Sequence, residues 1–180
     1  MTKYTDQELI NSLQKGNEQA MDVLFRRHYS FICRTVYRIL KDNNLAEDIA
    51  QEVFFGIWKK REQLNISTSV QAYLKRAAIN KSLNFIRDQK VKFDDEEKMP
   101  VLTSRQSSTQ QQLEADDLQK MIDQAIDALP EKCRLVFTLS RFEEMTYQEI
   151  ATELNISIKT VENQISKALK YLRVALKQGD

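Results

Sequence analysis

Glycine and proline are scarce in this chain, three and two among 180 residues. A fold of strands joined by tight turns needs more of both, so helices are favoured. Cysteine is as sparse. Cys33 and Cys133 lie far apart, each inside an apolar helical run, and buried thiols fit that placing better than a disulfide or a metal pair. A single histidine, His28, argues against a metal site built on imidazoles. No apolar run approaches the roughly 20 residues of a membrane span. The start, Met1-Thr2-Lys3-Tyr4-Thr5, has no signal-peptide core, so a cytoplasmic protein without direct membrane insertion is expected. Glycine-rich phosphate loops, nucleophile motifs and metal clusters are missing too, which argues against an enzyme and against a bound cofactor.

The net charge of +1 hides an uneven spread. Residues 1–92 carry 16 Lys/Arg against 10 Asp/Glu, residues 93–130 carry 3 against 9, and residues 131–180 carry 8 against 7. An acidic middle thus separates a basic block from a near-neutral one.

Helix starts are well marked. Thr5-Asp6-Gln7-Glu8, Thr68-Ser69-Val70-Gln71 and Thr146-Tyr147-Gln148-Glu149 fit the capping box, and Asn44-Leu45-Ala46-Glu47 is a related signal. Apolar spacing predicts helices near 6–15, 17–41, 45–63, 70–89, 113–128, 131–141, 147–154 and 158–177. Pro130 suits the first turn of the helix it opens. No run alternates like a strand. The fold class expected is all-α, with two small helical domains, 1–92 and 113–180, joined by a flexible linker at 93–112. That stretch holds Asp94-Asp95-Glu96-Glu97 and then Ser104 to Gln112, too polar to bury a core. Fully extended, twenty residues reach about 70 Å.

In the second domain, a short helix, a tight turn and a longer helix form a helix-turn-helix. On the longer helix Val161, Ile165, Ala168, Leu169, Leu172, Ala175 and Leu176 share one face. Lys159, Asn163, Lys167, Lys170 and Lys177 gather opposite, with Ser166 beside them. Ser157 caps the helix start, next to Thr160, and leaves backbone N–H groups aimed at a phosphate. Ile150, Ala151 and Leu154 of the short helix brace the longer one. Any surface helix with solvated lysines has such a face; the capped short helix and the turn before it favour DNA reading in the major groove.

The helix from Val70 to Gln89 divides in the same way. Leu74, Ala78, Ile79, Leu83, Phe85 and Ile86 cover about half of its circumference. Tyr73, Arg76, Asn80, Asn84 and Arg87 fall within about 80° of each other on the far side. An aromatic ring, two amides and two guanidinium groups suit a DNA backbone with exposed bases. By periodicity alone, an ordinary amphipathic helix accounts for the stripe equally well. The preceding loop, Leu64 to Ser69, is polar and carries no Lys or Arg. Asn65, Ser67 and Thr68 in it suit one unstacked base.

The helix from Ala46 to Gln63 starts with Glu47, Asp48, Gln51 and Glu52 and turns aromatic at Phe54, Phe55 and Trp58. First-turn acids complement the helix dipole. Phe54 and Trp58, four apart, fit a core stripe. Periodicity names no partner for the polar side.

The order of parts resembles the extracytoplasmic-function (ECF) group of bacterial sigma-70 factors, the promoter-reading subunits of RNA polymerase. The resemblance rests on Ala46-Glu47-Asp48-Ile49-Ala50-Gln51-Glu52-Val53-Phe54, on Ala77-Ala78-Ile79-Asn80, and on Ala128-Leu129-Pro130-Glu131-Lys132 followed by Tyr147 to Ala151 and Lys159 to Asn163. It covers nearly the entire chain. It implies that Asp48, Gln51 and Glu52 meet the clamp coiled coil of core RNA polymerase. It implies that the loop Leu64–Ser69 and Asn80 handle the melted minus-ten element of promoter DNA. It places Asn163, Ser166 and Lys167 in the major groove of the minus-thirty-five element. It also implies an inhibitory anti-sigma factor. Two features depart from the pattern: Asn84 stands where many members carry an aspartate, and Glu162 and Gln164 where many carry basic residues. The main rival is a helix-turn-helix regulator acting without polymerase; such proteins usually carry a domain of alternating strands and helices. A helical protein-interaction module would leave both polar stripes unexplained.

Overall fold

The computed structural model describes residues 4–89 and 114–177. The expected linker at 93–112 lies outside the described residues, and so does the side chain of Lys177. The helices are α1 (Asp6–Gln14), α2 (Glu18–Leu40), α3 (Asn43–Lys60), α4 (Val70–Asp88), α5 (Glu114–Asp127), α6 (Glu131–Arg141), α7 (Tyr147–Leu154) and α8 (Ile158–Lys177). A short 3₁₀ turn, Arg61–Gln63, follows α3. Among the described residues there is no strand. The chain divides into two compact units, the first built from α1–α4 and the second from α5–α8.

In the first unit, α2 is the spine on which α1, α3 and α4 pack. Leu24, Ile32 and Val36 of α2, Ala50, Val53 and Phe54 of α3, and Leu74 and Ala78 of α4 form one buried cluster. Each fully buried Leu or Ile contributes about 1.5–3 kcal/mol relative to exposure. Phe54 meets Phe25 edge-on at 5.0 Å between ring centroids, so it belongs to the core, as its spacing suggests. α1 is tied down at its start. Asp6 Oδ1 accepts from Arg27 Nη1, and Asp6 Oδ2 lies 2.9 Å from Nε2 of the buried His28.

Three helix starts differ in detail from expectation. The capping boxes at Thr5 and Thr146 are both formed. At α4, however, Ser69 rather than Thr68 is the cap, its Oγ accepting from Ala72 N–H at 3.1 Å. α3 begins at Asn43, because the carboxylate of Asp42 accepts from Leu45 N–H at 3.0 Å. The Asp42 carboxylate thus caps the helix two residues ahead of Asn44. Pro130 stands at the cap of α6, just ahead of its first helical residue.

In the second unit, Val136 and Leu139 of α6, Ile150 of α7, and Val161 and Ala168 of α8 are buried together. Among the described residues no helix is long and apolar enough to cross a membrane.

Candidate nucleic-acid interface

The helix-turn-helix is built by its caps. Thr146 Oγ1 accepts from Glu149 N–H at 3.2 Å, and Glu149 Oε2 accepts from Thr146 N–H at 2.8 Å, which starts α7. Asn155 ends it in the left-handed region, at φ 54°, and Ile156 N–H returns to Ala151 C=O at 3.0 Å. Asparagine tolerates that conformation better than most residues, so the chain reverses within three residues. Ser157 Oγ then accepts from Thr160 N–H at 2.9 Å and starts α8. Ile150, Ala151 and Leu154 are buried, as the bracing role requires.

On α8 the side chains of Asn163, Ser166, Lys167 and Lys170 are exposed. They stand opposite the buried Val161, Ile165 and Ala168. Lys159 is exposed and pairs with Glu162 at 3.2 Å. Thr160 is half-buried, its Oγ1 2.9 Å from Ser157 Oγ, so it serves the cap as well as the outer surface.

Two features of this helix stand out. Gln164, at a position where many family members carry a basic residue, lies away from the exposed face of Asn163, Ser166 and Lys167. It is 6% exposed, and its Oε1 accepts from the Cys133 Sγ at 2.8 Å. Leu169 and Leu176, expected on the buried face, are 46% and 37% exposed. They sit roughly 60–80° around the helix from Val161. They lie on the other side of Val161 from the buried Gln164, and that side is open to solvent.

In the first unit, Arg76, Asn80, Asn84 and Arg87 are exposed along α4. Arg87 donates to Asn84 Oδ1, so an amide and a guanidinium group act as a pair. Tyr73 is only half-exposed, its ring packed against the core cluster. The loop ahead of α4 is anchored at both ends and open between. Leu64 and Val70 are buried and Ile66 packs on the core, while Asn65, Ser67 and Thr68 are exposed. One anchor escaped the sequence reading: Gln14, at the end of α1, donates from Nε2 to Leu64 C=O at 2.7 Å. A second is Arg61, whose guanidinium lies over the Trp58 ring at 4.3 Å and whose Nη1 donates to Trp58 C=O at 2.9 Å.

A third polar surface lies on α3. Asp48, Gln51 and Glu52 are all exposed, and Glu52 pairs with Lys81 of α4 at 2.7 Å. One turn further along α3, on the same side, stands Phe55, 66% exposed. Phe55 adjoins Phe54 and Trp58 in sequence, yet its spacing of seven from Asp48 and three from Glu52 places it on the outer stripe. Behind this surface, burial pushes the Tyr29 hydroxyl and the Cys33 thiol above their ordinary pKa values. Both groups are therefore neutral near pH 7.

Residues 24–91 match the profile of Sigma-70 region 2, and residues 119–172 match that of Sigma-70, region 4. The two matches take in α2 to α4 and the helix-turn-helix. The chain is 28% identical to the RNA polymerase sigma-H factor of Pseudomonas aeruginosa, over 98% of this chain and 96% of the relative. It is 24% identical to the ECF RNA polymerase sigma-E factor of Escherichia coli, over 92% and 91% of the two chains. The chain belongs to the ECF group of the sigma-70 family. It is thus a sigma factor, a subunit that binds core RNA polymerase and directs promoter-specific initiation. A helix-turn-helix regulator independent of polymerase would not account for the region 2 match. The fold agrees with the solved structure of CnrH in complex with the cytosolic domain of CnrY, with a TM-score of 0.51 at 21% identity, covering 97% of this chain and 99% of that one.

Proposed function

We propose that the three exposed surfaces of this sigma factor divide the work of initiation between them. Asp48, Gln51 and Glu52, with Phe55 among them, form the patch that docks on core polymerase. The loop residues Asn65, Ser67 and Thr68 receive one base extruded from the minus-ten element. Tyr73, Arg76, Asn80, Asn84 and Arg87 hold the adjoining single strand, the arginines at phosphates and the amides at bases. In the second unit, Asn163, Ser166 and Lys167 read base edges of the minus-thirty-five element. Ser157, Lys159, Thr160 and Lys170 meet the flanking phosphates.

The observation that carries this reading is the pairing of an exposed acidic-amide patch on α3 with largely exposed nucleic-acid-like stripes on α4 and α8. One chain offers a protein partner and two DNA elements separate faces. In this reading the domains are 1–92 and 113–180, with 93–112 as the flexible connection. The protein has no catalysis and no cofactor of its own, and it acts in the cytoplasm beside the polymerase. An anti-sigma factor, as the family implies, holds it inactive by covering these faces.

The test is transcription in vitro from a promoter library with purified core polymerase. Specific start sites are expected only when protein and core are both present. Tight, specific promoter binding by the protein alone, unaffected by core, would establish the independent regulator instead.

A further inference from the structure

The N-terminal helix α1 lies outside both stripes and outside the acidic patch, yet it is pinned at each end. At its start, Asp6 is held by Arg27 and His28 of α2. At its end, the Gln14 amide donates to the carbonyl of Leu64, fifty residues further on, at 2.7 Å. Between these points Leu9, Ile10 and Leu13 are buried in the core. α1 is therefore a strut with one foot on the spine helix α2 and the other on the first residue of the base-reading loop.

That foot matters because of where it lands. Leu64 follows the 3₁₀ turn, and its own N–H makes only a long bond back to Arg61 C=O, at 3.4 Å. Its side chain is buried, so the chain direction into Asn65 depends on how the Leu64 peptide is oriented. The Gln14 bond fixes the carbonyl end of that peptide, one bond away from Asn65. Base discrimination by hydrogen bonds needs positioning to within about 0.5 Å. A peptide rotation at Leu64 would move Asn65 by more than that.

We infer that Gln14 is a positioning residue for minus-ten recognition, setting the frame of the loop from Leu64 to Ser69 through its bond to Leu64 C=O. The inference rests on the reading that this loop receives a promoter base. It makes α1 part of the specificity machinery, although α1 touches no DNA in that reading.

The experiment uses the full chain with core polymerase on a promoter library, together with amide hydrogen exchange of the free protein. Gln14→Met keeps length and shape and removes the donor. Gln14→Arg keeps a donor. Asp6→Asn loosens the far foot of α1 without touching the loop. An unmade hydrogen bond of this kind changes an equilibrium by roughly twofold to tenfold. Gln14→Met is therefore expected to flatten preference at one downstream position by that factor and to speed exchange of the amides of residues 64–69. Gln14→Arg should restore both, and Asp6→Asn should lower the melting temperature while leaving the preference intact. Unchanged preference in Gln14→Met overturns the inference, whether or not exchange rises. Equal flattening by Asp6→Asn overturns it as well, since α1 would then act through stability alone. The combined Asn65→Ala, Ser67→Ala and Thr68→Ala variant separates the two layers. If it changes the preference and Gln14→Met does not, only the role of Gln14 is lost. If it too changes nothing, the loop reading falls and the inference with it.

Discussion

Lys81 Nζ stands 2.7 Å from Glu52 Oε2, joining α4 to α3 on the surface of the first unit. The two side chains are 38% and 62% exposed, so the pair contributes at most about 1 kcal/mol to stability. Its importance is positional. It places a carboxylate of the proposed docking patch beside the stripe that carries Asn80, and it makes Glu52 a shared group. A partner that binds Glu52 must compete with Lys81 or accept both charges.

This bears on how the docking patch is tested. Glu52→Lys would set like charges against Lys81, confusing a lost interface with a disturbed surface. Asp48→Lys and Gln51→Lys combined with Glu52→Gln avoids that. The triple variant should lose co-elution with core polymerase while its urea unfolding changes by less than about 1 kcal/mol. Co-elution at the original level would remove these residues from the interface.

Phe55 supplies the apolar part of the same patch. Exposed aromatic side chains ringed by polar groups are the usual anchors of protein interfaces. Phe55→Ala should weaken core binding by about 1–3 kcal/mol, roughly fivefold to 150-fold in Kd, in a fluorescence titration. Folding stability should move by no more than about 0.5 kcal/mol, because the ring is largely in solvent. An unchanged Kd would make Phe55 an ordinary surface residue.

On α8 the proposed division between base and phosphate contacts is separable. Asn163 lies near the start of the helix and Lys170 about two turns on. Asn163→Ala should relax preference at one or two positions of the upstream element, costing about 1–3 kcal/mol there. Lys170→Ala should weaken all sequences alike and lower the slope of log K against log salt by about one unit. Binding of a promoter series at several salt concentrations distinguishes them. Indistinguishable variants would refute the assignment.

Gln164 gives the opposite prediction from the one its place in the family pattern suggests. A basic residue there would not add a DNA contact, because the side chain faces Cys133 inside the unit. Gln164→Lys buries an unpaired charge and should cost about 3–5 kcal/mol of stability. Gln164→Leu removes one acceptor of a thiol, a weak donor, and should cost less than about 1.5 kcal/mol. Urea unfolding of the two variants measures the difference. A gain in promoter affinity from the lysine, with stability unaffected, would mean that the side chain faces outward.

The contrast between Gln164 and Gln14 marks what could be read in the sequence. The helices of the second unit were legible because Thr146, Asn155 and Ser157 punctuate them and Val161, Ile165 and Ala168 repeat at helical spacing. The burial of Gln164 was legible too: it lies about 60° from Val161 on the wheel, within the apolar face. Phe55 was accessible by the same arithmetic. The start of α3 was ambiguous because Asp42, Asn43 and Asn44 are all competent caps, and the local choice among them is worth only about 1 kcal/mol. Gln14 and Leu64, like Asp6 and His28, meet only through the packing of α1 on the rest of the unit. No local periodicity encodes such a contact, so the frame of the loop from Leu64 to Ser69 had to await the fold.

The capping box of α1 predicts a pH response. Glu8 Oε2 accepts from Thr5 N–H at 2.7 Å and from Thr5 Oγ1 at 2.9 Å. The backbone bond first, and the hydroxyl bond after it, hold the Glu8 carboxyl below its ordinary pKa. A group depressed in the folded state adds stability that is present above the unfolded value, about 4.3, and lost as pH falls through the folded value. Glu8→Gln keeps an acceptor for the Thr5 amide but cannot titrate. Relative to that variant, the native protein should lose its advantage as pH falls below about 4, and not between pH 5 and 8. Carboxyl carbon shifts from NMR should show Glu8 titrating below the unstructured glutamates, with urea unfolding at matched pH giving the stability difference. Titration at or above the ordinary value, or a difference that grows on acidification, would show that the box does not hold α1 in solution.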